Sequence, residues 1–162
     1  MNLRPRTQAM PDIIATDLRT LADALLALAL GGAVGWERER KRKGAGFRTM
    51  MLVSFSSFLF IEVSLAAGAD AAQVADGALR TDPVRAIQAI AAGLGFLGAG
   101  LVFRDAANDR TRGLTTAASL LVVSPIGIAV ALGHHVLAIG STVLLVLVLS
   151  VAERADQLAH RP

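Results

Sequence analysis

A single glutamate interrupts a long apolar stretch of the chain and is the clearest candidate for a chemical role. Glu62 is the only ionisable residue between Thr49 and Ala67. A charge placed in hydrocarbon is costly unless it is paired, protonated or facing water, so such residues are functional candidates. Two structural interpretations of Glu62, taken together, carry the same weight as the functional one. The helix could shift Glu62 to the membrane surface, or Glu62 could form a purely structural pair.

The other charged residues collect in short clusters. The cluster from Glu37 to Lys43 is, taken alone, typical of a topology anchor attracted to anionic headgroups. In the segment Asp82-Pro-Val-Arg85, the carboxylate can cap a helix whose first turn contains Pro83. The segment Gly113-Leu-Thr-Thr116 opens another helix with hydroxyls that can cap it or bond across helices. These segments therefore mark helix ends.

Glycine recurs at helical spacing in two apolar stretches. Gly93-Leu-Gly-Phe-Leu-Gly98 formally matches the dinucleotide-binding fingerprint, but that motif needs a preceding strand and a tight turn, which this apolar helix lacks. Small residues at these spacings instead allow close helix packing, and they lead us to expect that the third helix is the central one. The predicted packing glycines are Gly31, Gly35, Gly93, Gly95, Gly98 and Gly100.

Several function classes are disfavoured by composition. The chain has no cysteine, so thiolate metal sites and thiol nucleophiles are excluded, and no Ser-His-Asp or HExxH constellation is visible. We therefore predict no enzyme and no catalytic residues. A net charge of only +3 and 4% aromatic residues also argue against nucleic acid as a partner.

Long apolar stretches between the clusters predict membrane helices. The chain of 162 residues is 54% hydrophobic, more than a water-soluble domain of this size can hide. Crossing roughly 30 Å of hydrocarbon takes about 20 residues. We predict an all-α, polytopic transmembrane bundle over residues 18–152, between an N-terminal polar segment (1–17) and a cytoplasmic tail (153–162). Its helices are expected at about 18–36, 49–67, 86–103, 114–132 and 135–152.

The basic residues of the loops predict the orientation of this bundle. The loop after the first helix carries six cations against two acids, which makes it cytoplasmic by the positive-inside rule. The loop between 68 and 85 is acidic enough to lie outside. With five spans, the N-terminus is predicted outside and the C-terminus in the cytoplasm.

Three sequence blocks, in this order and spacing, resemble the MgtC/SapB family of bacterial inner-membrane proteins. They are Gly31-Gly-Ala-Val-Gly-Trp-Glu-Arg-Glu-Arg40 with Ala45-Gly-Phe-Arg-Thr49, then Asp82-Pro-Val-Arg85 with the glycines up to Gly100, then Gly113-Leu-Thr-Thr-Ala-Ala-Ser119. The resemblance covers about Leu21 to Val151. It implies a short form of the family, without the C-terminal soluble domain of MgtC-type members. It also marks a set of polar signature residues: Glu37, Arg38, Glu39, Arg48, Asp82, Arg85, Thr115 and Thr116.

The resemblance implies a role linked to magnesium. Family members act in growth at low magnesium and survival inside host cells, hence in virulence, and their role looks regulatory. We expect a regulatory or interaction protein, a homo-oligomer in the lipid bilayer that contacts other membrane proteins. The nearly equal numbers of acids and bases in the signature suggest an ion-pair network rather than an open cation site.

The alternative function is a transporter or channel for Mg²⁺ or another divalent cation. No cofactor is firmly implied and no metal ligand is identified, although Glu39, Glu62 and Asp82 are the carboxylates that could contact Mg²⁺.

Overall fold

The structure is a computed structural model that describes residues 10–74, 82–105 and 110–159, with side chains placed over 14–69, 82–102 and 111–151. Within these ranges the chain forms five helices and one short antiparallel pair of strands between the third and fourth helices. The elements are α1 (Met10–Arg40), α2 (Phe47–Val74), α3 (Pro83–Leu101), β1 (Phe103–Asp105), β2 (Arg110–Arg112), α4 (Leu114–Ala131) and α5 (His135–Ala159).

The helices have the length and composition of membrane spans. Four described stretches are long and apolar enough to cross a bilayer on these criteria: Ile14–Arg40, Phe47–Ala69, Pro83–Leu101 and Leu114–Ala131. The apolar part of α5, His135–Val151, is slightly shorter. The predicted all-α membrane bundle is therefore confirmed, while the side on which each terminus lies stays a prediction.

The first and last helices extend beyond their predicted apolar stretches. α1 begins at Met10 and continues to Arg40, and α5 continues to Ala159. Residues 10–17 therefore continue α1, and residues 153–159 continue α5. Hydropathy marks the part of a helix suited to hydrocarbon, whereas Glu, Arg, Gln and Ala continue a helix readily in water. Residues 1–9 and 160–162 lie outside the described ranges.

The start of α3 follows the predicted chemistry, whereas α4 begins without a side-chain cap. Pro83 occupies the first turn of α3, and an Oδ1 atom of Asp82 accepts a hydrogen bond from the Val84 amide at 2.9 Å. α4 begins directly after Gly113, whose φ of +87° lies in the left-handed region. A Cβ atom at Gly113 would come within 2.0 Å of the Leu101 carbonyl oxygen, so the tight turn from β2 into α4 requires glycine.

The centre of the bundle is α4, and the expectation that the third helix is central is wrong. In the apolar stretch of α4, 61% of the residues are buried, against 11% in α3. α4 contacts each of the other four helices. The largest buried apolar side chains come from α1, α2 and α4: Val34, Met50, Phe58, Ile61, Val123, Ile126 and Val130.

Glycines bring α1, α2 and α4 into close contact around Ser54. A Cβ atom at Gly31 would lie 2.7 Å from the Ser54 Cβ atom, and one at Gly127 would lie 1.9 Å from the Ser54 carbonyl oxygen. Ser54 is fully buried. Nearby, the Ser57 and Ser124 hydroxyls form a 2.8 Å hydrogen bond between α2 and α4. This three-helix contact depends on the absence of a side chain at both glycines.

Because consecutive helices alternate in direction, the bundle has two distinct ends. The last turns of α1, α3 and α5 lie with the first turns of α2 and α4, and we name this the Arg38 end. The opposite end, where α3 and α5 begin, is named the Asp23 end. These neutral names do not depend on the predicted orientation.

Candidate functional site

A buried arginine joins the end of α1 to the start of α4. Arg38 is only 2% exposed, and its Nη2 atom donates a 2.7 Å hydrogen bond to the Thr116 hydroxyl. A buried guanidinium is costly unless hydrogen bonds replace its hydration. Arg38 and Thr116 are both predicted signature residues, and the fold brings them together across 78 positions of sequence. Their contact fixes the first turn of α4 against α1.

Glu39, which follows Arg38 in the chain, caps the start of α2 with its side chain. Its Oε2 atom accepts a 2.8 Å hydrogen bond from the Phe47 amide, the first residue of α2. A carboxylate at a helix N-terminus satisfies a free amide and interacts favourably with the helix dipole. A Cβ atom at Gly46 would approach the same Oε2 atom to 2.9 Å, so glycine leaves room for the cap.

The turn between α1 and α2 is compact and contains one strained residue. The Arg42 amide donates to the Glu39 carbonyl at 2.9 Å, and the Lys43 amide donates to the Arg38 carbonyl at 3.1 Å. This hydrogen-bond pair is a Schellman motif, whose left-handed position usually holds glycine. Here it holds Arg42, with φ of +52°. A non-glycine residue in this conformation costs roughly 1–2 kcal/mol.

Glu37 faces α5 rather than α4. Its carboxylate forms a salt bridge with Lys41, one helical turn later. The Lys41 ammonium also donates to the Leu149 carbonyl at 3.2 Å, and the Ser150 hydroxyl donates to the Glu37 carboxylate at 3.4 Å. The end of α1 is thereby attached to the last apolar turns of α5. Neither Lys41 nor Ser150 was singled out from the sequence.

The remaining signature residues are divided between the two ends. Arg48 and Thr115 are exposed at the Arg38 end. The backbone carbonyl of Thr115 accepts a 2.7 Å hydrogen bond from the Ser119 hydroxyl. Asp82 and Arg85 are exposed at the start of α3, at the Asp23 end. The structure thus brings together Glu37, Arg38, Glu39 and Thr116, which we call the Arg38 cluster, and leaves Asp82 and Arg85 apart from it.

A second polar group lies at the Asp23 end. Glu62 is partly buried on α2, towards the same end of the bundle as Asp23 of α1. Asp23 Oδ1 in turn lies 2.9 Å from the His135 Nε2 atom at the start of α5. The sequence contained a signal for this group, because Asp23 is a charge within the first predicted span. From the sequence, only Glu62 is predicted as an intramembrane candidate.

The carboxylates suggested for Mg²⁺ do not converge. Glu39 lies at the Arg38 end, whereas Glu62 and Asp82 lie towards the other end. Over the part of the chain that the structure describes, no three His, Cys, Asp or Glu side chains come together in a group that could hold a metal ion. The described carboxylates of the Arg38 cluster are engaged in helix capping and in a salt bridge.

Most glycines of α3 have open space beside them. A Cβ atom at Gly98 would make an ordinary 3.4 Å contact with Ala117 of α4, but nothing lies within 4 Å of one at Gly93, Gly95 or Gly100. Between α2 and α3 runs an open groove with a volume of about 540 Å³. Its walls are largely apolar and include Phe60, Ile90, Gly93, Leu94 and Leu97, with Ser56, Ser57 and Ser64 along the α2 side.

Comparison with known proteins finds relatives over most of the chain. SrpB of Synechococcus elongatus is 36% identical over 141 residues, covering 83% of this chain and 75% of SrpB. YhiD of Escherichia coli K12, whose name proposes a magnesium transporter, is 39% identical over 127 residues, covering 78% of this chain and 57% of YhiD. MgtC of Salmonella typhimurium LT2 is 33% identical over 142 residues, covering 85% of this chain and 56% of MgtC.

The chain therefore spans little more than half the length of YhiD and MgtC. No solved structure matches it significantly. The sequence model of the MgtC family matches residues 24–158, which include all or most of each of the five helices, the Arg38 cluster, Glu62 and His135. With this match and these identities, the chain belongs to the MgtC family of membrane proteins.

Proposed function

We propose that this chain is a regulatory or interaction protein of the bacterial inner membrane, linked to magnesium homeostasis and adaptation to low magnesium or host stress. The observation that carries the proposal is the outward face of α3. This helix is the least buried of the four long apolar spans, and three of its glycines have open space beside them.

An outward glycine face is suited to contact with another helix. Leucine or valine would serve a lipid-facing helix at least as well, whereas glycine lets a neighbouring backbone approach closely. Gly93 and Gly100 are seven residues apart and therefore lie on one side of α3. A second copy of the chain, or another membrane protein, could pack against this side.

The contacts of the Arg38 cluster support the proposal, because they fix the bundle to which α3 is attached. Its acids and its buried arginine are bonded to other elements of the bundle, namely the start of α2, the start of α4 and the end of α5. These contacts hold four helices in fixed relation to one another. α3 is attached mainly through α4, so its outer face remains available.

The link to magnesium rests on relatives rather than on geometry. The family to which the chain belongs includes YhiD, whose name proposes magnesium transport. A deletion strain that fails to grow at low magnesium, and that recovers growth with the intact gene, would support the link. Normal growth of the deletion strain at low magnesium would contradict it.

Site-directed cross-linking tests the interaction surface directly. Because the chain has no cysteine, a single cysteine can be placed at Gly93 on α3 and, as a matched control, at Gly140 on α5. Neither position has a neighbouring atom within 4 Å, so both variants should fold. We expect oxidation in native membranes to cross-link G93C and to leave G140C monomeric. A strictly monomeric G93C with no co-purifying membrane protein would contradict the proposal.

The second candidate function is transport of a divalent cation, and the carboxylates Asp23 and Glu62 favour it. Two carboxylates towards the same end of apolar spans are unusual in a purely structural bundle. Proteoliposomes containing a magnesium-sensitive dye provide the test. Transport predicts flux that D23N or E62Q abolishes and that R19Q, an exposed substitution on α1, leaves unchanged. Flux equal to that of empty vesicles would exclude this candidate.

A further inference from the structure

Three arginines surround the turn between α1 and α2 with their side chains exposed. They are Arg40, Arg42 and Arg48. The acids of the same segment are already engaged, since Glu37 pairs with Lys41 and Glu39 caps α2. Within the described ranges, no acidic side chain forms a salt bridge with any of these three arginines. The turn therefore presents concentrated positive charge that the bundle itself does not neutralise.

An aromatic pair places this charge at the depth of lipid headgroups. Trp36 is 66% exposed, and its ring meets that of Phe47 edge-on with 6.1 Å between centroids. Exposed tryptophan on a membrane helix prefers the boundary between hydrocarbon and water. Arg40 lies one helical turn beyond Trp36, about 6 Å further along α1, and Arg48 directly follows Phe47. The arginines therefore lie at the depth at which the lipid phosphate groups begin.

Arg42 provides a separate indication that the charge has a use. Its backbone is in the left-handed conformation that glycine adopts at the least cost. Its side chain is exposed and forms no described ion pair or hydrogen bond that would compensate for the strain. A residue that is unfavourable for the turn itself, and that carries a cation, fits a requirement outside the folded chain.

We infer that Arg40, Arg42 and Arg48, beside Trp36, form a binding surface for the headgroups of anionic phospholipids. The guanidinium group offers several donors in a fixed planar arrangement that matches phosphate oxygens. The occupant is the lipid of the bilayer in which the protein sits, rather than a soluble phosphate compound. This inference does not depend on the proposed function, and it holds whichever side of the membrane the turn faces.

The single tryptophan of the chain is a built-in reporter for this surface. The full chain is reconstituted in phosphatidylcholine bilayers with equal small fractions of brominated phosphatidylglycerol or brominated phosphatidylcholine, and quenching of Trp36 fluorescence is measured. We expect the anionic lipid to be preferred about fivefold or more, since each basic residue at a membrane surface contributes about that factor. The preference should fall as salt is raised.

Variants separate this role from a structural one. Replacing all three arginines (R40Q, R42G and R48Q together) should reduce the preference to about onefold, whereas R19Q, an exposed arginine at the Asp23 end, should leave it unchanged. R42G alone should weaken the lipid preference while raising the melting temperature, because it relieves the left-handed strain.

Two results would overturn the inference. The first is an unchanged preference in the triple variant, which would show that the lipid does not contact these arginines. The second is loss of the preference when inorganic phosphate is added at constant ionic strength, which would identify a free anion as the occupant. Persistence of the preference in phosphate would support the lipid.

Discussion

α3 and α4 are consecutive apolar helices of 19 and 18 residues, and both contain glycine, yet they occupy opposite positions in the bundle. α4 is the centre, with Gly127 against the backbone of α2, whereas α3 lies at the edge with Gly93 beside open space. Small residues therefore mark surfaces where helices can approach closely. They do not tell whether the approaching helix belongs to the same chain.

The largest expected effect is the difference between two variants that each add one methyl group, one in α4 and one in α3. In G127A the new Cβ atom would lie 1.9 Å from the Ser54 carbonyl oxygen, so α2 and α4 must separate. We expect a loss of about 3 kcal/mol or more in the free energy of unfolding. In G93A the methyl group meets nothing, and the better helix propensity of alanine should stabilise α3 by up to about 1 kcal/mol.

Unfolding by SDS titration in mild detergent micelles, followed by circular dichroism, measures both changes. Opposite signs would confirm the different positions of the two helices. Equal destabilisation by G127A and G93A would contradict them.

A smaller effect is expected at the hydrogen bond that attaches α4 to the buried Arg38 of α1. Among the described contacts, α3 has no such attachment. R38Q removes the charge-assisted hydrogen bond to the Thr116 hydroxyl and should cost about 2–3 kcal/mol. T116V should cost less, and the double variant should cost less than the sum of the two, because each single change already removes the shared bond. T115V, at the exposed neighbouring threonine, is the control and should lie within about 0.5 kcal/mol of the parent. Strict additivity of R38Q and T116V in the same titration would exclude the contact.

The smallest effect is expected at the cap of α2, which only positions the start of that helix. E39A removes the acceptor for the Phe47 amide and should cost about 1 kcal/mol, with E39Q in between because its amide oxygen can still accept. Hydrogen exchange should become faster at the Phe47 amide and stay unchanged in the middle of α2. An unaltered exchange rate at Phe47 would show that Glu39 does not cap the helix.

The features that were predicted correctly from sequence are local ones. Each of the five helices contains an apolar run of nearly membrane-spanning length. The Asp82 cap depends only on residues within one helical turn of the helix start. The helix ends at Met10, Arg40 and Ala159 were placed wrongly because hydropathy reports the membrane-crossing portion, and the helices continue through charged residues beyond it.

The partners within the site required the fold itself. Arg38 and Glu39 were recognised as important, but the residues they contact could not be identified from spacing. Thr116 lies 78 positions from Arg38, and Glu39 bonds to the backbone amide of Phe47, whose side chain gives no indication of that role. The central position of α4 was equally inaccessible, because its one glycine, Gly127, resembles those of α3 until the neighbouring backbones are in place.

The contacts between α1 and α5 have a consequence for synthesis of the protein. Asp23 meets His135 at one end of the bundle, and Lys41 reaches the Leu149 carbonyl at the other. Because α5 is the last of the five helices to leave the ribosome, α1 enters the membrane before either partner exists. Asp23 therefore lies in an apolar span without this partner until a helix more than a hundred residues later in the chain has been made. These contacts of the first inserted helix are thus formed only after the last helix has been synthesised.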